Sequence, residues 1–254
     1  MAAFDAAAAS YDLDFSTTRL GRWLREGVWR VLGPTFAPGA RVLELGCGTG
    51  EDAVWLARRG LSVVATDASA SMLRVAAAKA RQAGLAERVR LAQVDASRLS
   101  GIRGVYDGAL ANFGVVNCVP DRRGLADGLA ERLRPGATLV TVVMGPLCAW
   151  EVAWYLLHAD VGRALRRWRS GGLARVGTGQ VKVWYPSPGR LQTEMAPRFN
   201  LRRLVGLGTL LPPSYLSHLV DRWPCLFGRL AGADQRVPFG AWLADHYVAV
   251  FERT

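Results

Sequence analysis

Cysteine and histidine are scarce in this 254-residue chain, at four and three residues. Cys47, Cys118, Cys148 and Cys225 lie far apart with no CxxC pair, and His158, His218 and His246 fall near none of them in ligand spacing. That excludes a zinc site built on paired thiolates and a disulfide framework, so no metal is expected. The alanine run of MAAFDAAAAS has no basic start and is interrupted before it reaches secretory or membrane-spanning length. The expectation is a cytoplasmic protein without stable membrane insertion. There is no repeat, low-complexity tail or separate linker, and a chain of this length with half its residues hydrophobic suits one domain with insertions.

Positive charge is plentiful: 32 Lys and Arg face 21 Asp and Glu, for a net +11. Most of it is arginine scattered along the chain, which reads as solvated surface. Without a nucleic-acid-binding appendage it is poor support for an RNA or DNA partner, so no nucleic acid is expected.

Residues 40–46 (ARVLELG) form a short apolar run ending in glycine, and from Glu51 to Arg59 the residues Ala53, Leu56 and Ala57 share a helical face. A second strand at 61–67 leads into an alanine-rich helix over 69–83, closed by Gly84. Strands follow at 89–95 and 106–112, then a helix at 121–133 stopped by Pro135-Gly136, then a strand at 137–144. This alternation predicts an α/β fold: a Rossmann-like, doubly wound, seven-stranded and mostly parallel sheet with helices on both faces. After Gly145 the rhythm breaks into a Trp-rich helix over about 149–169, a glycine-rich stretch at 171–179 and YPSPG at 185–189, read as a helical lid inserted over the sheet edge. Strand-like residues return at 204–211, end at Pro212-Pro213, and reappear at 246–252. The single domain 1–254 therefore divides into a helical cap (1–39), a core (40–145), a lid (146–200) and C-terminal strands (201–254).

The segment VLELGCGTG (42–50) is the most informative. Three alternating glycines directly after a strand let the backbone turn tightly and approach a ligand, and the helix from Glu51 aims its N–H groups at it. A dinucleotide fold spaces its glycines GxGxxG, whereas this loop is GxGxG with Glu44 two residues before the first glycine, which argues against an NAD-dependent dehydrogenase. These residues resemble the class I S-adenosylmethionine-dependent methyltransferases, over roughly residues 40–145. The resemblance extends weakly to Phe4-Asp5 and Tyr11-Asp12, similar to the FD…YD of small-molecule members.

The resemblance implies S-adenosylmethionine as methyl donor, S-adenosylhomocysteine as product, and a cofactor site of Tyr11, Glu44, Gly46, Cys47, Gly48, Gly50, Asp67, Ala68, Met72, Asp95, Ala96, Asn112 and Phe113. Asp67, 21 residues beyond Gly46, stands where an acidic residue accepts both ribose hydroxyls. Asp95-Ala96 resemble the pair that contacts adenine, and Asn112-Phe113-Gly114 the segment beside the reacting methyl. All four strand ends converge on the carboxyl edge of the sheet, where open α/β sheets bind ligands.

Methyl transfer is an in-line displacement, so holding the acceptor against the methyl can contribute about 7–11 kcal/mol; a base is needed where the acceptor loses a proton. Glu151, Tyr155 and His158 share one face of the predicted lid helix beside an apolar face of Trp150, Trp154, Leu157, Val161 and Trp168. They are the candidate catalytic residues, His158 as base, against the alternative of solvated lid residues; His246, opening the final strand, or His218, after the Pro-Pro turn, could instead face the cavity, but a structural role is preferred for each. Arg163, Arg166, Arg167 and Arg169 make the lid basic and could meet a membrane surface or acidic carrier, although a solvated lid is preferred. LPPSY (211–215) superficially resembles the motif of nucleic-acid amino-methyltransferases but lies outside its place after the fourth strand, and reads as a turn. The expected function is methyl transfer to an oxygen or nitrogen of a small apolar or aromatic metabolite by a monomer or homodimer. The alternatives are a non-methylating scaffold or cyclase, or an RNA or lipid methyltransferase.

Overall fold

The computed structural model describes residues 2–168, 171–177 and 179–254. Its core is a seven-stranded sheet of β1 (Arg41–Leu45), β2 (Ser62–Asp67), β3 (Val89–Gln93), β4 (Tyr106–Ala111), β5 (Leu133–Met144), β8 (Phe199–Leu207) and β9 (His246–Arg253). Their order across the sheet is β3-β2-β1-β4-β5-β9-β8. β1 to β5 are parallel, and β9 runs antiparallel to both β5 and β8. The order reverses between β1 and β4, which opens a crevice at their carboxyl ends.

Helices cover both faces. α2 (Arg19–Leu32), α3 (Glu51–Arg58), α9 (Ser217–Arg222) and α10 (Pro224–Ala233) pack on the face holding Val42, Val140 and Val248. α5 (Arg122–Ala130), α8 (Pro188–Met195) and α11 (Gly240–Leu243) pack on the face holding Leu43, Leu139 and Tyr247. α4 (Ala70–Gln82) is N-capped by Ser69, whose hydroxyl accepts from Met72 N. α1 (Ala2–Ala7) and a π-turn over Asp12–Ser16 precede α2. No helix among the described residues is long and apolar enough to cross a membrane.

Four expectations are corrected. The predicted helix over 149–169 is broken into α6 (Ala149–Leu157), α7 (Val161–Ala164) and a 3-10 turn (Arg166–Trp168), because Ala159 is left-handed (φ 56°) and Asp160 caps a new helix on Arg163 N; Arg169 lies outside the described residues. The glycine-rich stretch holds a hairpin, β6 (Gly172–Val176) and β7 (Gly179–Val183), and YPSPG starts α8, with Ser187 as N-cap and Pro188 at the first turn. The helix predicted over 121–133 ends at Ala130, and β5 starts at Leu133, with Gly136 at φ 77° and an irregular register where it meets Tyr106 and Gly108. The strand predicted at 204–211 runs instead from Phe199 to Leu207. It stops where the buried Asp234 carboxylate accepts from Gly208 N and Leu210 N, each at 2.7 Å, and turns the chain. Asp234→Ala leaves those N–H groups unpaired and should lower unfolding free energy by about 1–3 kcal/mol, read as an earlier urea midpoint at unchanged slope.

Candidate active site

The glycine loop follows from β1 ending at Leu45. Cys47 N donates to Thr66 O at 2.8 Å, which locks the loop to β2. A Cβ on Gly46 would stand 2.4 Å from Val115 and one on Gly50 2.8 Å from Ala76 Cβ, whereas nothing lies within 4 Å of the same position on Gly48. Two of the glycines thus permit close packing, and the middle one faces open space that a ligand can fill. Asp67 sits across from it: Oδ2 accepts from Gly48 N at 2.9 Å and Oδ1 from Ser69 N at 2.8 Å. Burial raises the Asp67 carboxyl above its ordinary range, against the pull of these backbone N–H groups. Ala68 and the buried Met72 continue the same turn into α4. Burial also raises the Cys47 thiol well above its usual value, which disfavours the thiolate.

Strand alternation turns Glu44 to the face under α2 and α3, and there it is buried with Oε2 lacking a hydrogen-bond partner among the described residues. Burial, reinforced by Asp52 and Asp67, raises its carboxyl well above the ordinary value, against the opposing charge of Arg25. Beside it Asp52 accepts from Arg25 Nη1 (2.5 Å), Trp29 Nε1 (2.8 Å) and Asn112 Nδ2 (2.7 Å). Arg25 also stands 5.0 Å over the Phe113 ring. An unpaired buried carboxylate oxygen beside an open glycine is what a ligand with an amino group and a polyhydroxyl part would complete. The residues present therefore fit the cofactor that the resemblance implies.

The N-terminal segment closes on this loop through two aspartates. Asp5 accepts from Ser69 Oγ at 2.6 Å, and Asp12 from Thr49 Oγ1 at 2.6 Å and Lys79 Nζ at 2.7 Å. Tyr11 is carried between them; burial raises its hydroxyl pKa, and Arg25, Asp52 and Asp67 are its charged neighbours.

Of the remaining strand ends, Asp95 is exposed and takes Ser97 N and Oγ on Oδ1, which lower its pKa against slight burial; Ala96 is half-buried beside it. Asn112 is buried, bridging Asp52 and Phe113 N, and Phe113 is left-handed at φ 43°. The Phe113 ring packs edge-on against His246 at 5.7 Å. His246 opens β9 beside Met144, on the Glu44 face of the sheet, and is 9% exposed. Its Nδ1 lies 3.0 Å from Asp245 Oδ2 but out of line for a hydrogen bond. Asp245 in turn is paired with the buried Arg167. Burial would raise the Asp245 carboxyl, yet Arg167 and His246 hold it far below the usual range.

Of the three lid candidates, Glu151 and Tyr155 meet at Tyr215, whose hydroxyl donates to Glu151 Oε2 at 3.3 Å, while His158 lies apart. Glu151 is buried and accepts from Arg166 (2.7 and 2.8 Å) and from Arg167 (3.2 and 2.9 Å), which lower its pKa despite burial. A carboxylate so engaged is a clamp rather than a base. Tyr155 stacks with Tyr215 at 6.1 Å, and His158 is exposed at the end of α6, its Nδ1 2.7 Å from Trp154 O. Sequence reasoning missed Arg25, Asp52, Arg167 and Asp245 as members of the buried network. Only Asp52, two residues past the last loop glycine, carried a signal, and it reads equally as a helix-start acid.

Residues 42–136 match a family described as a methyltransferase domain. Over 139 residues the chain is 36% identical to the demethylmenaquinone methyltransferase of Mycolicibacterium paratuberculosis, covering 54% of this chain and 56% of that protein. The chain thus spans about half the length of the curated relatives it matches. Among solved structures it is similar to an S-adenosylmethionine-dependent methyltransferase from Mesorhizobium loti (TM-score 0.58, 19% identity, 89% of this chain and 97% of that one). It is also similar to the cyclase SpnF (TM-score 0.57, 18% identity, 90% and 81%). At these identities the structures speak for the fold.

Because burial raises the Glu44 carboxyl well above its ordinary value, pairing with a ligand ammonium should favour loss of its proton. Affinity for S-adenosylhomocysteine then rises with pH until the raised Glu44 value is passed. Calorimetric titration in phosphate and in Tris should show net proton release for the wild type and less for Glu44→Gln; equal heats in both buffers for the wild type would contradict this.

Proposed function

We propose, for a chain whose residues 42–136 form a domain of the class I S-adenosylmethionine-dependent methyltransferases, that it transfers a methyl group to an oxygen or nitrogen of a small apolar or aromatic molecule. The observation that carries this reading is the open position over Gly48 framed by the Glu44 and Asp67 carboxylates. When bound, S-adenosylmethionine supplies a methyl group on a positively charged sulfur. Asp67 would hold the ribose hydroxyls by exchanging part of its bond with Gly48 N, Glu44 the amino group, Asp95-Ala96 the adenine, and Asn112-Phe113 the methionine part.

The chain's other residues orient and exclude. Asp5 and Asp12 fasten the N-terminal segment over the loop, and Tyr11 closes it from bulk water. Excluding water strengthens the pull of the surrounding carboxylates on a cation. Three buried or half-buried carboxylates stand here, Glu44 and Asp52 beside Arg25 and Asp67 across the loop, which suits a ligand of net positive charge.

On the acceptor side, His246 is a better-placed base than His158: it touches Phe113 and is nearly buried, whereas His158 points to solvent. An acceptor that gains a methyl on oxygen or nitrogen gives up a proton, which the His246 imidazole can take. The Asp245 carboxylate beside it offsets the resulting charge and, gripped by Arg167, does not compete for the proton.

Calorimetry with S-adenosylmethionine and S-adenosylhomocysteine should give micromolar binding that Asp67→Ala abolishes; no binding by the wild type would sink the cofactor reading. With an acceptor found by screening for S-adenosylhomocysteine release, His246→Asn should slow turnover by about 10²–10⁴-fold while leaving S-adenosylhomocysteine affinity within about threefold. His158→Gln should be neutral, and the reverse pattern would return the base to the lid. Binding without release across a broad panel would favour a non-methylating scaffold.

A further inference from the structure

A cavity of about 270 Å³ opens where α5, α8 and the β6–β7 hairpin meet, away from the glycine loop. Its wall carries three guanidiniums, Arg122, Arg167 and Arg190, and three aromatic rings, Trp168, Trp184 and Tyr185, and no carboxylate among the described residues. The acids reach it only through the arginines. Arg122 and Arg190 share the single carboxylate of Glu194, and Arg166 and Arg167 share Glu151 with Asp245 as the third acid. Lys182 adds a fifth cation, its Nζ 5.4 Å over the Trp184 ring. The surrounding network of five cations and three carboxylates thus carries two surplus positive charges; Lys182 stands beside the lining residues Gly171 and Trp184, and Arg166 stands outside the lining.

The wall is rigid where it meets the sheet edge. Trp184 N donates to Asn117 O at 2.8 Å, and Asn117 Nδ2 donates to Trp184 O at 2.6 Å and to Met144 O at 2.9 Å. Arg122 is buried, with Nη1 on Val119 O at 2.9 Å. Arg190 is bound to Glu194 through Nε and is otherwise two-thirds exposed. Arg167 forms the inner wall, 5.4 Å over the Tyr185 ring, and behind it stand Asp245, His246 and Phe113.

We propose that this cavity recognises an anionic group, a carboxylate or a phosphate, on a flat conjugated body, at a site separated by Arg167 from the methyl-transfer position. The proposal stands independently of the methyltransferase reading above. Arg167 spends its donors on Glu151, Asp245 and Gly145 O, so the planar donors left for either anion are the Nη groups of Arg190 and the remaining N–H groups of Arg122, while the indole and phenol faces take the flat body. The volume suits a one- or two-ring molecule at the lower end of small-molecule sites.

The test is direct binding to the full chain, with and without S-adenosylhomocysteine, of 2-naphthoate, 2-naphthyl phosphate and neutral 2-naphthol, followed by calorimetry. At least one anion should bind tenfold or more tighter than 2-naphthol, and which one does identifies the headgroup. Arg190→Gln and, separately, Lys182→Gln should each weaken that anion at least fivefold without changing 2-naphthol or S-adenosylhomocysteine binding. Equal binding of anion and naphthol, or anion binding indifferent to both substitutions, overturns the proposal. Bound S-adenosylhomocysteine with no anion binding overturns this proposal alone; anion binding without S-adenosylhomocysteine binding overturns the methyltransferase reading and leaves the anion site standing.

Discussion

The carboxylate of Asp52 is the contact on which the site depends. It lies in the first turn of α3, buried, and holds a guanidinium and an indole N–H from α2 and an amide from the end of β4. One side chain thereby fixes the helix that covers the sheet, the helix that receives the glycine loop, and the segment that carries Phe113. Burying a charge of this kind costs several kcal/mol unless every oxygen is paired. Asp52 meets that condition with three donors, while its neighbour Glu44 does not. The contrast separates a structural carboxylate from one left open for a ligand.

Negative charge is spent differently at the two ends of the carboxyl edge. At the glycine loop, acids outnumber bases and two of them have raised pKa values from burial, an arrangement that favours a cation. At the lid, guanidiniums outnumber carboxylates and hold Glu151 and Asp245 ionised, an arrangement that favours an anion. Phe113 and His246 stand between the two, in ring contact.

The same network couples the lid to the sheet. Arg167 binds Glu151 in α6, Gly145 O after β5, and Asp245 before β9. The broken lid helix follows from it: a continuous helix would keep Glu151 and the arginines of the following turns at fixed helical spacing, whereas the left-handed Ala159 folds Arg166 and Arg167 back onto Glu151.

The alternation of strands and helices over residues 40–145, the glycine loop and Asp67 were legible from sequence, because local periodicity and backbone geometry dictate them: a glycine with positive φ after an apolar strand leaves few other folds. The N-terminal aspartates were legible as a motif, though not the partners they find. The hairpin at 172–183, the break at Ala159 and the end of β8 were not, since glycine-rich or apolar runs fit several local structures and only tertiary partners such as Asp234 choose between them. The ring contact between His246 and Phe113 was not legible, because a lone histidine at a strand start carries no signal. Sequence by itself therefore determined the sheet, the loop and the chemistry of its acidic partners, which are set by residues close along the chain. Tertiary structure decided which buried charges are paired and which are left open, because Asp52 with Arg25, Asp245 with Arg167 and His246 with Phe113 depend on electrostatic and packing contacts between segments far apart in sequence.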